Sequence, residues 1–160
     1  MDVNGFKGPN SEARNGKQYD IRSFKVAKFS TGCAGVEVPN IGCVYVLPSY
    51  SPIKAGSDEM KKWDPNWNKS SDASYDNAWA GAKKACDDIG MSLPDLSKLY
   101  SLAKKTFAEK EQLGLPTSGW FWFSWEYDAD RAYLMDAYGN WGFGAKNSRN
   151  SGVKVLCIGD

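Results

Sequence analysis

Cysteines are the side chains of this sequence best suited to covalent chemistry. Cys86 lies in the segment AWAGAKKACDDIG, and Cys157 lies in the apolar run VKVLCIG near the end of the chain. Cys33 and Cys43 flank the turn-like segment VEVPNIG. Their even number favours two disulfides, Cys33 with Cys43 and Cys86 with Cys157; buried free thiols are the alternative, since cysteine is also a common core residue. Disulfides would indicate an oxidising compartment: extracellular, cell-surface or periplasmic.

Oxygen-bearing residues near the N-terminus are candidate ligands for calcium. Asp2, Asn4, the carbonyl of Phe6 and either Asn10 or Asp20 offer hard oxygen ligands in a glycine-containing loop. The later acidic positions of an EF-hand are missing, and the alternative is an Asx-turn loop whose side chains bond their own backbone. The chain has no histidine, so we expect no zinc site and no cofactor beyond this candidate calcium.

Tryptophans and neighbouring polar residues form the candidate ligand-binding set. An exposed row of tryptophans beside amide side chains can stack on sugar rings or anchor a protein partner, and core packing is the alternative for each tryptophan. Alternation along WFWFSW places half of its aromatic residues on each strand face. The candidate residues are Trp63, Trp67, Trp120, Trp122, Trp125, Asn140, Trp141, Asn147, Arg149 and Asn150.

Catalytic motifs are missing from the sequence. Without histidine the usual general base near neutral pH is absent, and no Ser-x-x-Lys, Gly-x-Ser-x-Gly or phosphate-binding glycine loop occurs. Glycoside hydrolysis requires a pair of carboxylates, and one acidic cluster of the sequence could supply them. The simpler interpretation is that these residues are charged side chains of turns and edge strands. That cluster comprises Glu126, Asp128, Asp130, Arg131 and Asp136. We therefore predict that the protein is not an enzyme.

Charge and hydropathy exclude two further classes. The formal net charge is +1 and the lysines are scattered, so we expect no nucleic-acid partner. No apolar run approaches the roughly 18 residues of a membrane helix, and the start MDVNGFKG does not resemble a signal peptide. An exported protein without a signal leads us to expect that a leader or anchoring helix preceded Asp2 in the native protein.

The order of predicted elements indicates a single α+β domain over residues 1–160. Residues 1–20 read as a loop, residues 21–50 as a hairpin of the strands IRSFKVAKFS and CVYVLPSY, and residues 51–73 as a long surface loop. A core of helices and strands follows over residues 74–160.

Two helices and several strands make up this predicted core. The first helix buries Ala78, Trp79, Ala82, Ala85, Cys86 and Ile89 and ends at Gly90. The second is capped by Ser92 or Asp95 and runs to Gly114, with an apolar stripe of Leu96, Leu99, Tyr100, Ala103 and Phe107. Strands are predicted at WFWFSWEY, RAYLMDAY, NWGFGAK and VKVLCIG, with a turn at residues 138–140.

Residues of about 75–160 resemble the C-type lectin-like domains of bacterial fimbrial and surface proteins. The matching residues are Trp79, Ala82, Cys86, Gly90, Leu93, Pro94, Leu99, Trp122, Ser124, Glu126, Tyr127, Val153, Val155 and Cys157. The resemblance implies two helices packed on twisted antiparallel sheets and a disulfide between the helix cysteine and the last strand. The calcium-dependent sugar motifs of that fold are missing: Val38-Pro39-Asn40 lies too early, and the late strand begins Asn140-Trp141-Gly142.

The N-terminal segment resembles a different family. DVNGFKGPN followed by YDIRSF is similar to the globular parts of type IV pilins and of type II secretion pseudopilins, which are anchored by a hydrophobic N-terminal helix. The two resemblances together imply a non-enzymatic extracellular head domain that acts in fibre assembly or in adhesion. Its expected partners are other pilin-like subunits or a host or cell-surface ligand, protein or glycan. A secreted or surface ligand-binding module unrelated to pili is the alternative.

Overall fold

The computed structural model describes residues 33–150 and 152–159. The candidate calcium ligands Asp2, Asn4, Phe6, Asn10 and Asp20 and the first predicted strand, residues 21–30, lie outside these residues. Backbone proximity divides the chain after Gly35, and the elements below belong to the unit that begins at Val36.

The described residues form a mixed α+β structure. The strands are β1 (Val36–Val38), β2 (Gly42–Val46), β3 (Trp120–Glu126), β4 (Arg131–Asp136), β5 (Trp141–Ala145), β6 (Val153–Lys154) and β7 (Leu156–Gly159). The helices are α1 (Asp58–Trp63), a 3-10 helix (Trp67–Lys69), α2 (Ala78–Asp88), α3 (Leu96–Ala103) and α4 (Phe107–Leu113). The α+β class is therefore confirmed, with more helices than the two that were predicted.

The strands form two sheets within the described residues. The smaller sheet has the order β1-β2-β7 and the larger one the order β5-β4-β3-β6. All pairs are antiparallel except β3 with β6, which is parallel. Leu99 and Leu102 of α3 pack with Phe121, Phe123 and Met135 of the large sheet in one buried cluster, so that α3 covers the β3–β4 part of one sheet face.

The last apolar run, predicted as one strand, forms two strands that pair with different sheets. Val153–Lys154 pairs with Trp120 and Phe121 of the large sheet, whereas Leu156–Gly159 pairs with β2 of the small sheet. Val155, between them, is buried and its carbonyl accepts from the backbone N–H of Leu47. The chain thus passes from one sheet to the other at Val155, which alternation of side chains alone does not indicate.

Helix α2 begins and packs largely as its sequence predicts. Asn77 caps it by accepting from the backbone N–H of Ala80 at 2.8 Å, and Cys86 is fully buried. Gly81 allows the segment before α1 to approach, because a Cβ there would lie 2.1 Å from the carbonyl oxygen of Ser51. Ile89 was predicted to be buried but is exposed, because the helix ends at Asp88.

The predicted second helix is broken into two. Asp95, rather than Ser92, caps α3, and α3 ends at Ala103. Thr106 then opens α4 with a capping box, in which Thr106 Oγ1 accepts from the N–H of Glu109 and the Glu109 carboxylate accepts from the N–H of Thr106. Phe107 consequently leaves the predicted apolar stripe and is exposed.

The predicted long loop over residues 51–73 contains α1 and the 3-10 helix. Met60 and Trp67 are buried together with Ile53 and Ala80, and the Trp67 indole N–H donates to the carbonyl of Tyr75 at 3.0 Å. This small core orders a segment whose polar and proline-rich composition indicated a loop.

The disulfide prediction is confirmed. Cys86 of α2 and Cys157 of β7 are bonded to each other across 71 residues of sequence, and both Cys33 and Cys43 are disulfide-bonded as well. Two disulfides are typical of proteins in an oxidising, extracellular environment. Across residues 33–150 and 152–159, we find no helix with the length and apolar character needed to cross a bilayer.

Candidate recognition face

One face of the large sheet is buried under α3 at its centre and exposed to solvent at its edge strand. Residues paired across neighbouring strands point to the same side of a sheet. Met135 is paired with Trp141 and Tyr133 with Phe143, and Met135 is buried against α3. Because α3 packs on β3 and β4, the same face continues beyond the helix onto the edge strand β5, where Trp141 and Phe143 are exposed.

A strand irregularity adds a second tryptophan to this face. In the β3–β4 register Trp122 is opposite Leu134 and Glu126 is opposite Ala132, so that residues 123–125 stand opposite Tyr133 alone. Phe123 and Trp125 therefore both contact the ring of Tyr133, with centroid distances of 5.5 and 6.1 Å.

Five aromatic side chains form a connected cluster here, which we call the aromatic face. Its members are Trp125, Tyr127, Tyr133, Trp141 and Phe143. Tyr133 is half-buried at its centre and makes edge contacts with Tyr127 at 5.6 Å and Phe143 at 6.4 Å. Trp141 lies 5.9 Å from Tyr133 and is 59% exposed, so its ring presents most of its surface to solvent while the ring beneath it holds its position.

Arg131 packs against the aromatic face. Its guanidinium lies 4.8 Å from the ring centroid of Tyr127 and 5.0 Å from that of Phe143. It also donates to Asp128 Oδ2 from Nε at 3.1 Å and from Nη2 at 2.7 Å. The hydrogen bonds from Arg131 hold the pKa of Asp128 below its ordinary value, and the face carries a charge-assisted ion pair at its border.

The β4–β5 turn borders the other end of the face. Gly139 adopts a positive φ of 96°, and Asp136 Oδ1 accepts from the backbone N–H groups of Tyr138 and Asn140 at 2.9 Å each. The Asn140 side chain donates to Asp136 Oδ2. Asn140, a predicted ligand-binding residue, therefore fixes the turn that leads into Trp141.

A buried ion network supports the strand ends. Lys146 is fully buried and donates to Asp64 Oδ2 at 2.9 Å and to Glu126 Oε2 at 2.8 Å. Asn77 donates to the same Asp64 oxygen at 2.8 Å. Since Glu126 ends β3 and Lys146 follows β5, the network ties two strands of the aromatic face to Asp64 beside α1.

The predicted tryptophans divide between surface and core. Trp125 and Trp141 belong to the aromatic face. Trp67 and Trp122 are buried, which contradicts their predicted role in binding. Trp67 lies in the small core beside α1. Trp122 lies on the sheet face opposite to that of Phe121, and its indole N–H donates to the Tyr50 hydroxyl.

The other two tryptophans lie apart from the aromatic face. Trp63 packs partly buried against the Trp67 cluster. Trp120 is exposed, but on the opposite side of β3 from Phe121.

The predicted ligand-binding residues Asn147, Arg149 and Asn150 follow β5 and differ in their exposure. Asn147 is buried and donates to Asp72 Oδ2 at 2.9 Å, and Asn150 donates to the carbonyl of Ala145. Only Arg149 is exposed, with its guanidinium 4.0 Å from the ring centroid of Tyr75. Asn147 and Asn150 thus use their side-chain amides for hydrogen bonds within the protein.

The residues of the predicted acidic cluster have different structural roles. Asp128 pairs with Arg131, Asp136 closes the β4–β5 turn, and Glu126 binds Lys146. Asp130 Oδ1 accepts from the hydroxyl of Ser70 and from the N–H of Ser71. No group of three or more Cys, Asp or Glu side chains suited to hold a metal occurs within the described part of the chain.

Sequence reasoning missed part of the aromatic face and the arginine beside it. Tyr127, Phe143 and Arg131 were not among the predicted ligand-binding residues. Their i, i+2 spacing along β4 and β5 was a usable signal, since Arg131 with Tyr133 and Trp141 with Phe143 each share one strand face. In the comparisons with known proteins, no protein-family model and no curated protein matches the chain.

Proposed function

We propose that this protein is a non-enzymatic recognition module at the cell surface and that the aromatic face is its contact surface. The observation that carries this proposal is the connected cluster around Tyr133, in which four of the five rings remain substantially exposed. Monomeric proteins seldom expose contiguous apolar area without a use for it. Tryptophan and tyrosine contribute more than most residues to binding free energy at interfaces.

Rigidity of the cluster supports a binding role. Tyr127, Phe143 and Trp141 are held against Tyr133, and Arg131 is held against Tyr127 and Phe143. Such side chains lose little rotamer entropy when a ligand binds. The buried network of Lys146, Asp64 and Glu126 fixes the end of β3, after which Tyr127 follows, and the end of β5, the strand that contains Phe143. The face is therefore already ordered before binding.

The proposed fold is C-type lectin-like, and the proposed setting is a pilin-like or pseudopilin-like head domain. The lectin-like part is supported by the disulfide between Cys86 of α2 and Cys157 of the last strand and by the passage of the chain between two sheets. The pilin-like part rests on the resemblance of residues 2–24. Fibre assembly and adhesion both require an exposed contact surface, and the aromatic face is suited to either role.

A surface or secreted ligand-binding module unrelated to pili is the second form of the proposal. The two forms differ in where the protein is found. Immunogold labelling of native cells with an antibody against this protein distinguishes them: labelled filaments, and protein in sheared filament fractions, support the pilin-like form. Diffuse label or soluble protein in the medium supports the second form.

The contact surface itself is tested with a panel of ligands. Labelled wild-type protein is applied to arrays of glycans and of extracellular-matrix proteins, and to a surface of the immobilised protein itself. The double variant Trp125→Ala/Phe143→Ala is expected to lose binding to whichever ligand the wild type recognises, and to keep its fold. Unchanged binding by the folded variant would place the contact surface elsewhere.

A further inference from the structure

A second surface feature of the described residues is a lysine-lined cavity between the α3–α4 junction and the β4–β5 turn. It has a volume of about 490 Å³ and is lined by Lys104, Lys105, Lys110, Phe107 and Tyr138, among others. That size lies within the range of about 300–1,000 Å³ that is typical of small-ligand sites. The scattered lysines of the sequence are brought together here by the break between α3 and α4.

The cavity is positively charged. None of its lining residues is acidic. In residues 33–150 and 152–159, the ion pairs include neither Lys104, nor Lys105, nor Lys110. Among the described residues, the carboxylate of Asp136 acts on Lys110 and that of Glu109 acts on Lys105. Asp136 already accepts hydrogen bonds from Asn140 and from the backbone of the turn, and Glu109 accepts one from the backbone N–H of Thr106.

Lys110 distinguishes the cavity from an ordinary patch of surface lysines. Its side chain is only 5% exposed, and its Nζ donates to a single described acceptor, the carbonyl oxygen of Ala137, at 2.5 Å. An ammonium group has three donors. Burial lowers the pKa of Lys110, because desolvation disfavours the charged form. Lys110 lines this cavity and also the neighbouring apolar pocket that contains Ala137, and an anion bound on the cavity side would offset this cost.

Aromatic and hydroxyl groups accompany the positive charge. Phe107 and Tyr138 are 63% and 68% exposed, the largest exposed fractions among the large apolar side chains of the described residues. Thr117 and Ser118 add hydroxyls to the lining. Exposed rings pack against the apolar faces of sugars, hydroxyls bond to sugar hydroxyls, and ammonium groups bind carboxylate or sulfate.

We propose that this cavity binds an acidic sugar, with its carboxylate or sulfate at Lys104, Lys105 and Lys110 and its ring against Tyr138 or Phe107. This site is distinct from the aromatic face and goes beyond the recognition role proposed above. The two are neighbours in sequence, since Tyr138 lines the cavity and Trp141 begins β5.

The test measures binding of the full chain to defined probes at constant ionic strength. The probes are a sulfated heparin tetrasaccharide, a carboxylated galacturonate tetrasaccharide, neutral cellotetraose, sodium sulfate and a single-stranded DNA oligonucleotide. We expect one of the two acidic tetrasaccharides to bind and neutral cellotetraose to bind at least tenfold more weakly. Which acidic probe binds identifies the anionic group.

Two matched variants locate the site. Lys104→Gln/Lys105→Gln removes two charges at the cavity and is expected to weaken binding by about tenfold or more, the effect of losing one or two charged contacts. Lys61→Gln/Lys62→Gln removes two exposed charges on α1 and is the control, with unchanged affinity expected. Tyr138→Ala, which changes no charge, is expected to weaken binding of the tetrasaccharide but not of free sulfate.

Three results would overturn the proposal. They are equal losses in the two lysine double variants, equal affinity for DNA and for the acidic tetrasaccharides, and failure of both acidic probes to bind the wild type. Trp141→Ala separates this site from the aromatic face: it is expected to keep tetrasaccharide binding at the cavity, so that failure of either proposal leaves the other standing.

Discussion

Tyr127 and Phe143 lie face to face, with ring centroids 3.9 Å apart and an interplanar angle of 8°. Tyr127 immediately follows β3 and Phe143 lies in β5, so the stacked pair joins the two strands on either side of β4. Tyr133 of β4 contacts both rings by its edge. The aromatic face is therefore a cross-strand structure and not a row of independent side chains.

Removing one ring of this pair should have a small effect on stability. Phe143→Ala is expected to lower the free energy of unfolding by about 1 kcal/mol, because aromatic pairs contribute about 0.5–1.5 kcal/mol beyond area burial and Phe143 is already exposed. Urea denaturation measures the change. A loss of 3 kcal/mol or more, the size typical of a buried phenylalanine, would show that Phe143 belongs to the core.

The Cys86–Cys157 disulfide is expected to be a major source of stability. Cys86→Ser/Cys157→Ser should lower the free energy of unfolding by about 4 kcal/mol in the chain-entropy model, since the bond closes a 71-residue separation. Chemical denaturation of wild type and variant without reductant measures the difference. Non-reducing peptide mapping is the accompanying check, and a crossed pair between these cysteines and Cys33 or Cys43 would contradict the structure.

The buried lysine is expected to be intolerant of substitution. Lys146→Met leaves Asp64, which is 1% exposed, without its charge partner, and breaking a buried ion pair in this way costs about 3–5 kcal/mol. Lys84→Met, which removes the partner of Asp88 on the surface of α2, is the control and should change stability little. Comparable effects of the two substitutions in guanidinium denaturation would mean that the Lys146 network is not buried in solution.

Asp130 should make the protein sensitive to acid. The hydrogen bond from Ser70 is the main reason that its pKa lies below the ordinary value of 3.8. A lowered folded-state pKa contributes stability above the unfolded-state value, and that contribution is lost as the pH falls through the folded-state pKa. Asp130→Asn should therefore be less stable than wild type at pH 7, and the gap should narrow below about pH 4. Melting temperatures from pH 7 to pH 2 test this, and a constant gap would contradict it.

Local signals in the sequence were sufficient for the covalent framework and the main elements. The position of Cys86 on the apolar side of α2 and of Cys157 in the last strand predicted their bond. The alternating aromatic run placed β3 correctly. Such features depend on spacing within one element or on the chemistry of one residue type, and they need no knowledge of how distant segments pack.

Features that depend on packing between distant segments were not predictable in the same way. Trp67, Trp122 and Trp141 are the same residue type, and only the tertiary structure shows that the first two are buried while Trp141 is exposed. Lys146 gave no sign of burial, because its partner Asp64 lies 82 residues earlier in the chain. The break after α3 did have a local signal, the capping box of Thr106 and Glu109, which the continuing apolar spacing to Phe107 concealed.

The comparison of Trp141→Ala with Trp120→Ala tests the proposed recognition face most directly. Both remove an exposed tryptophan from the large sheet, but Trp120 lies on the opposite side of it from the aromatic face. Affinity is measured by biolayer interferometry, with melting curves as the check on folding. The ligand is one found on the glycan, matrix-protein and self-association surfaces that Lys104→Gln/Lys105→Gln still binds, so that the lysine-lined cavity does not contribute. We predict that Trp141→Ala weakens binding about thirtyfold or more, as expected for a central interface residue, and that Trp120→Ala binds like wild type. Equal affinities of the two folded variants, or a wild-type protein that binds none of these surfaces, would contradict the account.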